Sequence, residues 1–167
     1  MKKHLSLIII LTLITSMVYA QNGFSVEANM GPTLGEVKKL KSTNTQVNLY
    51  YLWSTSENVN LGLTAGISIF SGEGTDEVTL PNFFDAVVAD SFIPIALAGR
   101  FNLSEKFVTG ADIGFAFNDT VDGGGFIFKP IAMYYLGKKI AITLSYTSIN
   151  EKGTTYSSIN LGINVGF

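Results

Sequence analysis

Four charged residues stand within otherwise apolar or small-residue segments: Glu27, Arg100, Asp112 and Lys129. Two of each sign, if enclosed together, should pair, because an unpaired buried charge is costly. Such a set could serve an ion or proton path or a gate. It could equally be a packed polar plug that fixes the fold, and a narrow filled interior favours the plug. Nucleophilic catalysis has little to draw on. The only histidine is His4 and there is no cysteine, so a Ser–His arrangement fails beyond the first few residues and thiol or disulfide chemistry is excluded. Glu73, Asp76, Glu77, Asp85 and Asp90 form an acidic stretch without Lys or Arg. Hard cations take carboxylate oxygens, but the spacing matches no calcium loop, so a solvated acidic connection is the expectation. Gly123-Gly124-Gly125 precedes a strand and not a helix, which makes it a flexible loop and no phosphate cradle. No cofactor, metal site or catalytic residue is expected.

Eight segments with period-two alternation or β-rich composition must position the four charges. They cover residues 23–33, 45–54, 58–70, 91–102, 106–118, 125–136, 139–149 and 155–167. The last is clearest: Ile159, Leu161, Ile163, Val165 and Phe167 alternate with Ser158, Asn160, Gly162, Asn164 and Gly166. The third, fifth and seventh repeat the pattern. The second and sixth alternate poorly, and Pro94 and Pro130 weaken the fourth and sixth, since proline cannot donate to a ladder. Parity puts Arg100 and Asp112 on the polar face, and Glu27 there between Ser25 and Asn29. Lys129 belongs with them because lipid would penalise it by about 2–4 kcal/mol at mid-membrane. Around a 103–106 turn, Arg100 should lie opposite about Gly110, one step from Asp112, with Lys129 on the next strand and Glu27 across the lumen.

The polar face is Gly, Asn, Ser and Thr, with few charges. In a water-soluble barrel that face would meet solvent and carry many Lys and Glu. Small polar residues instead suit a narrow lumen, with the apolar face against lipid. Charged residues make up 14% of the chain, against about 25% in soluble domains. Beyond residue 20 no apolar run is long enough for a membrane helix, and a bilayer otherwise admits only closed barrels. The fold expected is all-β: an eight-stranded antiparallel up-and-down transmembrane β-barrel.

Residues 1–20 stand apart. Lys2 and Lys3 precede the apolar run 5–18, and Val18-Tyr19-Ala20 fits a processing site. This predicts a secretory signal peptide cleaved after Ala20 and a barrel domain over 21–167. The mature chain has 9 basic side chains, the 11 of the whole less Lys2 and Lys3, against 13 acidic ones, a net charge of −4. Nucleic-acid binding is not expected of it.

Short links (55–57, 103–105, 137–138) alternate with longer ones (34–44, 71–90, 119–124, 150–154). Short turns face the periplasm and long loops the outside, so both termini should be periplasmic. Phe24, Trp53, Phe101, Phe107, Tyr135 and Phe167 fall near the turn ends of strands, and Phe70, Phe92, Phe117, Phe126 and Tyr156 near the loop ends, as aromatic girdles would. Residues 82–89 (Asn-Phe-Phe-Asp-Ala-Val-Val-Ala) are apolar for a loop and suggest a short helix capping the barrel mouth, with a partner-binding patch as the alternative.

With the terminal Asn164-Val165-Gly166-Phe167, these features resemble the small OmpA/OmpX-type outer-membrane barrels across the whole mature chain. The resemblance implies an outer-membrane location in a Gram-negative envelope, a lumen charge network of the structural kind, and Phe167 as a signal to the outer-membrane assembly machinery. It further implies a monomer partnered by outer-membrane lipids, with an extracellular ligand for the loops left open. The function expected is a non-enzymatic barrel that anchors in the membrane and presents loops for surface interaction or envelope integrity. A narrow pore is the alternative and an envelope-lipid enzyme a third reading.

Overall fold

The computed structural model describes residues 23–72, 91–118 and 123–167. The leader 1–20, most of the acidic connection and its 82–89 stretch lie outside the described residues. The strands are β1 (Gly23–Leu34), β2 (Thr43–Ser56), β3 (Val59–Ser71), β4 (Ser91–Asn102), β5 (Phe107–Asn118), β6 (Gly123–Tyr135), β7 (Ile140–Glu151) and β8 (Thr154–Gly166). Each pairs antiparallel with its neighbours in the chain, and β1 pairs with β8 to close the barrel. Closure leaves no free sheet edge.

The two faces are inverted relative to a water-soluble barrel. Leu61, Leu63, Ile67, Ile95, Leu97, Ile113, Phe115, Ile142, Leu144, Ile159, Leu161 and Ile163 point outward and are between 41% and 66% exposed. Asn44, Gln46, Asn48, Ser68, Thr143, Thr147, Ser158 and Asn160 point inward and are buried. An apolar girdle of that extent is unfavourable in water and natural in lipid.

The weak alternation of β2 and β6 has separate causes. In β2 the inward row Asn44, Gln46, Asn48 ends in a large aromatic, Tyr50, beside the outward Tyr51. In β6 both rows are apolar, because Ile127, Ile131 and Met133 pack inside while Phe126 and Phe128 face out.

Pro32, Pro94 and Pro130 do not break their strands. Each interrupts one ladder only. Pairing of β1 with β8 skips from Met30–Leu161 to Thr33–Ser158 around Pro32. That of β3 with β4 skips from Ala65–Ile95 to Ser68–Phe92 around Pro94, and that of β6 with β7 from Phe128–Ser148 to Ile131–Ser145 around Pro130. On the other side each proline stays in register, with Thr43, Ala116 and Ala111 respectively. A missing N–H affects only the neighbour it would have faced.

Two sequence expectations need correction. Gly123, Gly124 and Gly125 are the start of β6 and not a flexible loop. A Cβ on Gly124 would run into the Ala116 carbonyl and the Phe115 ring, and one on Gly125 into the Asn150 carbonyl. Glycine here serves close strand approach. Nor do the connections alternate fully in length. β7 and β8 join through a two-residue turn, Lys152-Gly153, with φ of 46° and 90°, which suits the twist of a tight hairpin. The long connections are those after β1 and β3.

Candidate functional site in the barrel lumen

The four charged side chains point inward and meet in one layer. Glu27, Arg100, Asp112 and Lys129 are each no more than 2% exposed. Register places Arg100 opposite Gly110 and Asp112 opposite Lys129, as strand parity and a short β4–β5 turn require. Two ion pairs result. Arg100 Nη1 lies 2.7 Å from Asp112 Oδ1, along the β4–β5 wall. Lys129 does not take Asp112, its facing residue. It crosses the lumen from β6 to β1 and puts Nζ 2.5 Å from Glu27 Oε1.

The pairs differ in geometry. Arg100 Nη1 donates to the carbonyls of Gly99 at 2.9 Å and Ala111 at 3.3 Å. The same Nη1 makes the contact with Asp112 Oδ1. Glu27 Oε1 also accepts from Asn29 Nδ2 at 2.7 Å and Asn48 Nδ2 at 3.5 Å, whereas Oε2 has no hydrogen-bond partner among the described residues. The donors therefore concentrate on one carboxylate oxygen.

Tyr50 joins the two pairs. Its hydroxyl donates to Asp112 Oδ2 at 2.8 Å, accepts from Lys129 Nζ at 3.2 Å and lies 3.2 Å from Glu27 Oε1. The Arg100 guanidinium carbon is 5.1 Å from its ring centroid and Lys129 Nζ 5.8 Å, within cation–π range. The sequence offered one signal for Tyr50: it shares parity with Asn44, Gln46 and Asn48. The adjoining Tyr51 and Leu52 obscured it.

Above and below this layer the lumen is packed. Toward the loop end, Gln46 bridges Asn44 and Thr147, while Ser158 and Asn160 extend the polar contacts. Beyond them Phe70, Phe92, Ala96, Ala116, Ile127 and Ile149 form an apolar cluster with Tyr156. The three rings pack with centroids 5.0 to 5.9 Å apart. Phe70, Phe92 and Tyr156 thus line the lumen and do not join an outer girdle, because their inward parity overrides their position near the rim. Phe117 and Phe126 do face out. Toward the turn end Val108, Ile131, Met133 and Ala141 pack with Tyr135. A recess of about 610 Å³ opens below, lined in part by Asn60, Asn102, Val108 and Tyr135. Tyr135 therefore also turns from the girdle into the core.

Phe167 lies at the turn end, 74% exposed, with its N–H bonded to the Phe24 carbonyl at 2.9 Å. Among the described residues no three His, Cys, Asp or Glu side chains converge as a metal site would need.

A closed eight-stranded barrel with polar contents and an apolar exterior is a membrane architecture, and solved structures match it. The crystal structure of Ail, the attachment invasion locus protein of Yersinia pestis, aligns with a TM-score of 0.59 and 11% identity over 87% of this chain and 97% of that one. The fold is that of the small transmembrane β-barrels. Ail in a phospholipid bilayer nanodisc shares this barrel fold at a TM-score of 0.54 and 12% identity, over 88% and 100% of the two chains. A de novo designed transmembrane β-barrel shares it at 0.53 and 13%, over 87% and 95%. No family model and no curated protein matches the chain. At these identities the likeness is one of barrel fold, which divergent lumen and loop residues can share.

Proposed function

We propose that the protein is a non-enzymatic outer-membrane barrel that anchors in the bilayer, with both termini periplasmic, and presents its loops for surface interaction or envelope integrity. The observation that carries this reading is the combination of a lipid-facing belt with a filled lumen. Aromatic and aliphatic clusters stand at both ends of the charged layer, and the ion pairs between them neutralise each other. That argues for a plug and against a conduit. Ail, with the same fold, is named for attachment and invasion, which is consistent with a surface role. The leader predicts export, Phe167 would be read by the assembly machinery, and outer-membrane lipids would be the partners of the belt.

Cysteine labelling tests the reading, since the natural chain has no cysteine. A cysteine replacing Gly35 should react with a membrane-impermeant maleimide on intact cells. One replacing Ser104 should react only after the outer membrane is opened. The reverse pattern would overturn the orientation, and equal labelling of both on spheroplasts alone would overturn the location.

A further inference from the structure

We propose that the recess at the turn end of the lumen is a binding site for a short peptide with both termini free. The site lies below the charged layer and adds a ligand to the anchoring role. Only the compartment that supplies the peptide rests on the orientation proposed above.

The recess is blind and polar. Its inner end is closed by Val108 and Tyr135, members of the apolar cluster that plugs this end of the lumen, so it is a pocket and not the start of a path. A second recess of about 450 Å³ adjoins it and shares Asn60, Asn102, Tyr135 and Lys138. Asn164, 4% exposed, points into the second one and donates from Nδ2 to Ser25 Oγ at 3.1 Å. Asn60 Nδ2 donates to Asn102 Oδ1 at 3.4 Å. That leaves Asn102 Nδ2, Asn164 Oδ1 and the Tyr135 hydroxyl without hydrogen-bond partners among the described residues. Carboxamides both donate and accept, as a peptide group does. The walls are fixed: Asn102 N–H bonds the Asn58 carbonyl at 2.9 Å, and Tyr135 N–H bonds the Lys106 carbonyl at 2.8 Å. A preformed pocket lowers the ordering cost of binding.

Charge selects the ligand class. Glu57 and Glu105 line the recess from the β2–β3 and β4–β5 turns, and Lys138 from the β6–β7 turn, with Lys139 beside it in the adjoining recess. In a closed ring of eight strands the β2–β3 and β6–β7 turns stand on opposite sides of the mouth. None of the four side chains makes an ion pair among the described residues. Lys106, next to Glu105, does not line either recess. Carboxylates on one side and ammonium groups on the other suit a zwitterion, its amine toward Glu57 and Glu105 and its carboxylate toward Lys138 and Lys139. Three residues span about 10 Å when extended, which sets the two charges of a tripeptide on opposite sides of the mouth. A neutral sugar would leave all four charges unused.

Trialanine is the probe. Added to the folded barrel in detergent micelles, it should shift the backbone amide resonances of Asn102, Tyr135 and Lys138 to saturation. N-acetyl-trialanine and trialanine amide each lack one charge and should bind about fivefold more weakly. E57Q/E105Q should weaken trialanine about fivefold and leave N-acetyl-trialanine unchanged. K138Q/K139Q should weaken trialanine likewise and leave the amide unchanged. No saturable shift by about 10 mM trialanine, equal binding of capped and free peptides, or variants that weaken both alike would overturn the proposal. So would the same shifts at lower concentration from a neutral N-acetylglucosamine disaccharide, the mark of a sugar site. The titration in micelles does not depend on orientation, which the labelling at position 104 decides separately.

Discussion

Lys129 and Glu27 meet at 2.5 Å across the lumen, from β6 to β1, so a single contact ties opposite walls of the barrel. Both side chains are almost wholly buried, and neither charge can be relieved by water if its partner is removed. Lys129→Met should therefore destabilise the barrel by about 3–5 kcal/mol. The double change Lys129→Met with Glu27→Met should cost clearly less than the sum of the two single changes. Urea unfolding from lipid vesicles measures both; strict additivity would mean that the pair does not interact.

Tyr50 should be the most sensitive neutral position in the layer. Tyr50→Phe keeps the ring beneath Arg100 and Lys129 but removes the hydroxyl that donates to Asp112 and accepts from Lys129. A loss of about 1–3 kcal/mol is expected, against more for Tyr50→Leu, which also forfeits the cation–π contacts. Equal losses in the two variants, read by the same unfolding assay, would show that the ring contributes nothing.

Much of this layer was legible in the sequence. Strand parity put Glu27, Arg100 and Asp112 inside, and a short β4–β5 turn fixed Arg100 opposite Gly110. Pairing partners were less legible. Lys129 faces Asp112 in register, yet its Nζ goes across the lumen to Glu27 while Arg100 sits on Asp112, and register alone does not show that choice. Tyr50 was hidden by neighbouring outward aromatics, and Phe70, Phe92 and Tyr156 by their position at the rim, where a lipid girdle and a lumen plug have the same composition. Pro94 and Pro130 weaken the fourth and sixth segments as sequence, whereas each missing N–H is felt on one side of its strand only.

Close packing inside the barrel predicts the effect of one added methyl group. A Cβ on Gly162 would collide with Asn29 Oδ1 and with the Ala28 carbonyl. Asn29 Oδ1 accepts from Thr143 at 2.8 Å, and Asn29 Nδ2 donates to Glu27. Gly162→Ala should thus cost about 1–3 kcal/mol by overpacking, and Gly137→Ala, where nothing lies within 4 Å, should be far milder. The two unfolding curves decide it, and equal costs would contradict the register of β8 against β1.

The exterior makes an independent prediction. Leu161 is 62% exposed on the lipid face. Leu161→Arg should cost about 2–4 kcal/mol in a bilayer if it lies near mid-membrane, while the same protein in detergent should tolerate it better. Refolding yields into vesicles and into micelles provide the comparison; equal tolerance in both would place Leu161 outside the hydrocarbon.

Single-channel recording in planar bilayers tests the central claim most directly, namely that the lumen is a packed plug and the barrel an anchor. Protein whose gel shift confirms the folded barrel should insert without producing stable open steps. Opening the plug with Phe70→Ala, Phe92→Ala and Lys129→Met together should produce them. Stable, resolvable ion conductance from the natural protein would contradict the account.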